Sequence, residues 1–420
     1  MAATAVKVVP EYSKQYRLNI LFLLCASQAI AYLDRVNMAV AAPVLVRNFH
    51  WSPATVGVML SMFNWAYSMT MLFAGPFVDW VGARIAYPLA VSIWSVATVL
   101  CGTTVRFAPL SVFRGLVGFG EGPMLGSGYR VIYETFPKEK RASAVGTFYA
   151  GNKVGLALGI PFAAAVYHQW GLAAIFYTAG GLSLLWLPWF LLTYRGKGKP
   201  VTQEKSTIRW ISLLQYRSTW GAMLGNFGYL YVYFVFANWL PGYLVLQRKM
   251  SVLSGGFVAM LPFLVGVAAT IAGGHISDWM VRKGARITVA RKLLACSGLC
   301  LATVFTLLGA YSTATVPAVT YLTLAVASFS LATGSIQTMM VDIAPPHFVA
   351  SLGSLQNFLG NIGGALAPMV TGILLAKTKS FTVPLIVTAL VALFAAACYG
   401  FIVGNLDERL KERTKGAVTA

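Results

Sequence analysis

Charge is scarce in this chain, and negative charge most of all. Only 12 acidic side chains stand among 420 residues, and charged residues of both signs make up 10%. A soluble domain is about a quarter charged. The shortage excludes a soluble enzyme and a disordered chain. Cysteine is also sparse. Cys25, Cys101, Cys296, Cys300 and Cys398 all lie inside apolar runs, which excludes a disulfide scaffold and marks them as small packing residues. The four histidines fall at the ends of apolar runs or in loops. None joins a set with metal-ligand spacing, so neither a metal nor any other cofactor is expected, and no catalytic site is assigned. No glycine-rich phosphate loop follows a strand, which argues against a nucleotide-driven pump. The apolar runs are continuous and do not alternate, which excludes an outer-membrane barrel. The N-terminal stretch is polar and has no cleavable signal pattern, so the first apolar run is expected to stay as an anchor.

What the chain has in abundance is apolar length. Hydrophobic residues make up 58% of it, and its mean hydropathy is +0.70. A span needs about 20 apolar residues. The sequence predicts an all-α membrane protein of twelve transmembrane helices, at 18–45, 53–77, 85–103, 108–132, 142–166, 171–194, 219–246, 254–276, 293–311, 315–340, 351–376 and 382–404. A basic stretch with Lys197, Lys199, Lys205 and Arg209 interrupts the series at its midpoint. The expected domains are a six-helix bundle over 1–194, a cytoplasmic linker over 195–218, a second six-helix bundle over 219–404 and a cytoplasmic tail over 405–420. The net charge of +20 would suggest nucleic acid in a soluble protein. Here Lys and Arg collect in alternate loops, as cytoplasmic loops do, and no nucleic-acid partner is expected. Only Arg47, Arg106, Arg248, Lys249, Lys377 and Lys379 fall on the opposite side, so both termini are placed inside. The expected setting is a bacterial inner membrane, with the chain as a monomer in the bilayer.

The halves repeat each other. Gly75-Pro-Phe-Val-Asp79-Trp-Val-Gly82 follows the second span, and Gly274-His-Ile-Ser-Asp278, with Gly284, follows the eighth. The fifth span carries Gly151-Asn-Lys-Val-Gly155 and the eleventh Gly360-Asn-Ile-Gly363-Gly364. Each pair is separated by about half the chain. Duplicated six-helix halves are a transporter architecture, with substrate between them near the midplane. Asp79 and Asp278 are expected near helix starts, where a carboxylate suits the dipole. Arg84 and the Arg282–Lys283 pair offer partners, so the two loops read as gating latches.

The duplicated Gly-x-x-x-Asp-x-x-Gly loop in a twelve-span chain resembles the major facilitator superfamily. Tyr32-Leu-Asp34-Arg35-Val-Asn37 and Phe113-Arg114-Gly-Leu-Val-Gly-Phe-Gly-Glu121-Gly-Pro123 resemble spans 1 and 4 of its anion:cation symporter family. Phe136-Pro-Lys-Glu-Lys-Arg141, Asn238-Trp-Leu-Pro241 and Val281-Arg-Lys-Gly284 fit as well. The resemblance implies rocker-switch uptake of an organic anion coupled to protons. It implies that Asp34 and Glu121 carry the protons, that Arg114 contacts substrate carboxylate, and that Arg35 tunes Asp34. It also implies cavity roles at Tyr32, Tyr67, Asn152, Gln337 and Asn357.

The residues themselves support an anion. Asp34 and Glu121 are the only acids well inside spans, beside Arg35, Arg114 and Lys153, so the intramembrane charge is positive and grows when the acids are protonated. Intramembrane ionisable groups are costly and functional by default. Arginine suits a carboxylate through its planar fork. Arg114 and Glu121, two turns apart, share a helix face. The same residues also fit buried ion pairs that merely hold helices together. Lys153 departs from the family pattern. It can add a second anion contact, pair with Asp34 or Glu121, or neutralise an acid structurally. Asn361, one turn from Asn357, completes a set of amides and phenols suited to a polyhydroxylated ligand, although helix–helix hydrogen bonding accounts for such residues too. The expected substrate is a sugar acid or other small carboxylate. An aromatic or hydroxy-carboxylate, sodium coupling, or a sensor without transport remain as alternatives.

Overall fold

The computed structural model describes residues 12–137, 140–196, 214–343 and 349–406. Most of the basic linker (197–213) and of the tail (407–420) lies outside them, as do Lys7, Lys138 and His347. Every regular element among the described residues is helical: α1 (Lys14–Asn48), α2 (Pro53–Val81), α3 (Ala83–Cys101), α4 (Phe107–Glu121), α5 (Met124–Thr135), α6 (Arg141–Trp170), α7 (Leu172–Thr193), α8 (Arg217–Leu246), α9 (Val252–Arg282), α10 (Ile287–Tyr311), α11 (Thr315–Ile343), α12 (Val349–Thr378) and α13 (Thr382–Ala397), which ends in a π turn over Cys398–Ile402. The helix predicted over 108–132 is broken. Pro123 follows Gly122 and has no N–H to continue the ladder, so α4 and α5 are two halves of one span, and the spans number twelve. Ten helices are long and apolar enough to cross a membrane by themselves. The two spans that fall short are the broken one and α6, which carries Asn152 and Lys153 at mid-length.

Local chemistry fixes the helix ends. Ser52 and Ser251 cap α2 and α9, their Oγ atoms each accepting the backbone N–H three residues on at 3.0 Å. Their spacing is that of Asp79 and Asp278, so the duplication extends to the caps. Gly82 alone joins α2 to α3 at φ 80°, a left-handed conformation that other residues rarely adopt. The second-half counterpart, Gly284, has φ 91°.

Helices α1–α7 form one bundle and α8–α13 the other. Within each, the repeated glycines set the closest approach. A Cβ on Gly151 or Gly155 of α6 would lie 2.2 Å from the carbonyls of Cys25 and Ala29 on α1. A Cβ on Gly363 of α12 would lie 2.3 Å from the Phe227 carbonyl on α8. Lipid offers helices no hydrophobic drive to associate, and small residues compensate by letting backbones pack.

Between bundles, α2 meets α12, α6 meets α9 and α1 meets α8. The tightest contacts lie on the face away from both chain ends. Gly57 packs on Pro368 and Gly372, and Ala164 on Gly256. Arg47 donates to the Val245 carbonyl. The remaining inter-bundle hydrogen bonds among the described residues, Asn64 to the Gly364 carbonyl at 3.1 Å and Asn361 to Met71 Sδ at 4.0 Å, lie deeper. The described contacts between the bundles gather on the face away from the chain ends and continue along α2 and α12 to mid-depth. A Cβ on Gly57 would sit 2.4 Å from the Pro368 carbonyl, so Gly57→Val is expected to break these contacts. Electron-resonance distances between spin labels at positions 105 and 314, exposed loop sites on opposite bundles, should lengthen. An unchanged distribution would place the closing contacts elsewhere.

Candidate functional site

Asp34 and Glu121 are both fully buried, on neighbouring elements of the first bundle. The Asp34 carboxylate accepts from Thr98 Oγ1 of α3 at 2.5 Å and from Asn37 Nδ2, one turn on, at 3.3 Å. Glu121 is the last residue of α4, at the negative end of the helix dipole, where a carboxylate is unfavourable without a cation. Arg35 supplies it. Its Nη2 lies 2.6 Å and its Nε 2.7 Å from Glu121 Oε2. The other oxygen, Glu121 Oε1, is buried with no hydrogen-bond partner.

Aromatic rings frame the pair. The Arg35 guanidinium lies 4.6 Å from the ring centroid of Tyr32, 4.9 Å from Phe63 and 4.8 Å from Tyr67. Arg114 approaches the Phe63 ring at 5.2 Å, so one phenyl ring is shared by two guanidinium groups. Cation–π contact stabilises each by about 0.5–2 kcal/mol when desolvated. Arg114 is 3% exposed, and its Nε has no hydrogen-bond partner. It lies within electrostatic range of both Asp34 and Glu121. Two cations and two acids thus share one buried pocket in which only Arg35 and Glu121 form an ion pair.

The sequence leaves the partners of these charges open. Arg35, adjacent in sequence to Asp34, pairs with Glu121. Arg114, on the same helix as Glu121, does not bridge to it. Successive helical residues diverge by about 100°, and seven residues span about 10 Å of axis, so neither sequence relation brings the two groups together. Lys153 pairs with neither acid, since Asp34 and Glu121 are engaged as described. Asn152 sits beside it with a buried, unpartnered Oδ1. Tyr32 and Tyr67 stand against Arg35. In the second bundle Asn361 donates to the Asn357 carbonyl at 2.8 Å, and Gln337 is exposed on α11. Thr98, Asn37 and Phe63 were not singled out from sequence. Asn37 stands within the Asp34-Arg35 motif and Phe63 beside Asn64, but nothing marks Thr98.

The latch acids differ from expectation. Asp79 and Asp278 lie in the last turns of α2 and α9, not near helix starts, because both helices run past their apolar segments. The dipole there opposes a carboxylate, so each acid takes an arginine. Asp79 pairs with Arg130 at 3.5 Å, and Arg130 also holds Glu134 at 2.5 Å. Asp278 pairs with Arg291 at 3.1 Å, and Arg291 lies 3.7 Å from Asp342. The expected partners Arg84 and Arg282 are exposed instead.

Comparison with known proteins places this geometry. The profile described as Major Facilitator Superfamily matches residues 24–368. The "Probable L-galactonate transporter" of Escherichia coli K12 is 30% identical over 407 residues, covering 93% of this chain and 90% of its own length. The "D-galactonate transporter" of Escherichia coli O6:H1 is 30% identical, covering 92% and 95%. Among solved structures, a bacterial homologue of the human lysosomal transporter Spinster, in an inward-facing and occupied conformation, superposes with a TM-score of 0.83 at 19% identity. It covers 95% of this chain and 99% of that one, a likeness of fold. Twelve spans in two bundles, with whole-length relatives that are carriers, identify a transporter and not an enzyme: the chain is a multi-pass membrane transporter and belongs to the major facilitator superfamily.

Proposed function

We propose that the chain is a proton-coupled symporter that takes up an organic carboxylate, a sugar acid first among them, across a bacterial inner membrane. The Arg35–Glu121 pair carries this reading. Ionised Glu121 occupies the Nε–Nη2 edge of Arg35, the donor pair a substrate carboxylate would use. Protonation of Glu121 removes its charge and frees that edge for the anion. Loss of the proton returns Glu121 to Arg35 and displaces the anion. Proton and substrate then bind together and leave together, which is symport. Asp34, held by Thr98 and Asn37 near Arg114, is the second proton site. In this assignment Arg35 takes the substrate and Arg114 tunes Asp34, the reverse of the roles the family resemblance implied. The names of these relatives, which specify galactonate, support a polyhydroxylated carboxylate. Tyr32, Tyr67, Asn152, Gln337, Asn357 and Asn361 supply donors and acceptors for its hydroxyls.

The halves 1–194 and 219–404, joined by 195–218, rock about the site. Lys and Arg gather on the face that carries the chain ends, which the positive-inside rule makes cytoplasmic. The inter-bundle contacts on the opposite face support an inward-facing reading of this conformation. Asp79–Arg130 and Asp278–Arg291 latch helix ends on the cytoplasmic face and act as gates. The test is uptake of labelled galactonate, gluconate, glucarate, glucuronate, lactate and hydroxyphenylacetate into proteoliposomes, under an inward proton gradient without sodium. Accumulation that collapses with a protonophore is expected for at least one sugar acid. Accumulation of none of them, by folded protein, would contradict the proposal. Restoration of uptake only by sodium would transfer the coupling to that ion.

A further inference from the structure

Lys153 is a cation at mid-membrane that the mechanism above does not use. Three observations fix where it points. It shares a helical stripe with Tyr149, Ile160 and Ala164. Ala164 and Ile160 face Gly256 of α9 across the bundle interface. The opposite stripe, Gly151–Gly155–Gly159, is taken up by α1. Lys153 therefore faces the second bundle, two turns inward of the Ile160–Gly256 contact, and it is half-buried. Tyr149, one turn below it, hydrogen-bonds Tyr129 at 2.6 Å and lies within electrostatic range of Tyr32, whose ring stands against Arg35. No acid among the described residues pairs with Lys153. A lysine at the centre of a span costs about 2.5–3.5 kcal/mol on insertion scales, so an unpaired one calls for an anion.

The register supplies the distance. Gly151 sits at Cys25, Gly155 at Ala29 and Gly159 at Leu33 and Val36. Lys153 is thus level with Ser27 and Gln28 of α1, seven or eight residues from Arg35. At the helical rise this is about 10–12 Å along the axis. Both side chains are long enough to close part of that interval. A linear six-carbon diacid spans about 6 Å between its carboxyl carbons, by the rise of an extended chain of the same number of bonds.

Resting on the assignment of Arg35 as the first anion contact, we propose that Lys153 is a second anion subsite and that the carrier is built for a linear dianion of the aldarate class, one carboxylate on Arg35 and the other on Lys153. Asn152, with its free Oδ1, is placed to accept from a hydroxyl between them.

Glucarate and gluconate share one polyol chain and differ only at the sixth carbon, carboxylate in one and hydroxymethyl in the other. Binding of each to purified full-length protein in nanodiscs tests the proposal. The wild type is expected to bind glucarate at least tenfold more tightly. Lys153→Met should lose that preference and keep gluconate affinity within about twofold. Lys153→Arg, which retains the charge, should keep the preference and guards against a folding defect in the first variant. Equal affinities in the wild type, or a Lys153→Met variant that weakens both acids alike, would overturn the proposal and leave the symport reading standing. If folded wild-type protein binds neither acid, while sodium or a different anion class supports uptake, the assignment of Arg35 fails and this inference fails with it.

Discussion

Glu121→Gln is expected to uncouple one of the two protons that drive accumulation while leaving anion exchange intact. Glutamine has the shape and neutrality of the protonated acid, so it fixes Arg35 in its freed state. The anion can then bind and cross, but its binding no longer requires the proton at this site. One pH unit is worth 1.36 kcal/mol per proton, so an imposed gradient of two units supports about 100-fold accumulation for each coupled proton. The variant should lose that factor for the Glu121 proton. Two readouts separate the effects: accumulation of labelled substrate under the gradient, which should fall, and counterflow with no gradient, which should persist. Undiminished gradient-driven accumulation by Glu121→Gln would remove Glu121 from the coupling.

The second large effect concerns Arg35. Arg35→Gln strands the fully buried Glu121 at a helix C-terminus without its cation. Removing one member of a buried pair typically costs about 3–5 kcal/mol, because the other charge is left uncompensated. The contacts of the guanidinium with Tyr32, Phe63 and Tyr67 are lost as well. A clear drop in melting temperature in detergent is expected, together with loss of anion binding. The double variant Arg35→Gln/Glu121→Gln replaces the ion pair by two neutral amides. It should regain most of the stability without regaining the anion. That split distinguishes a substrate contact from a packing pair: if the pair only holds α1 to α4, the double variant recovers function along with stability. Arg35→Lys keeps the charge but not the two-nitrogen edge, and should fold normally while binding the anion weakly.

Much of this molecule was legible in its sequence, and the unread part has definite causes. The twelve spans followed from hydropathy, since lipid imposes long apolar runs. The duplicated glycines followed from spacing, and they mark the backbone contacts of α6 on α1 and of α12 on α8. The broken fourth span was written as Gly122-Pro123 but read as continuous. Asp79 and Asp278 were misplaced because hydropathy ends where the membrane core ends, whereas the helices continue into polar sequence. Candidate charges were evident from their cost in a bilayer, but their pairing was not. Adjacency of Asp34 and Arg35 says nothing about partners, because the two side chains leave the helix in different directions. Only the assembly of the bundle, which lets side chains reach from α1 to α4 and α3, decides that Arg35 meets Glu121 and that Asp34 meets Thr98. Thr98 carries no signal at all, being one of many hydroxyl residues in an apolar helix.

The central claim is that Glu121 and the substrate carboxylate compete for one edge of Arg35, and it is tested most directly by proton uptake on anion binding. Purified protein in weakly buffered solution would be titrated with glucarate and with gluconate while released or absorbed protons are followed. The account predicts that protons are taken up as the anion binds, and that affinity rises about tenfold per unit fall in pH while Glu121 is ionised in the empty carrier. Glu121→Gln should bind without the uptake that Glu121 provides. Anion binding that takes up no protons in the wild type, with an affinity independent of pH, would contradict the account.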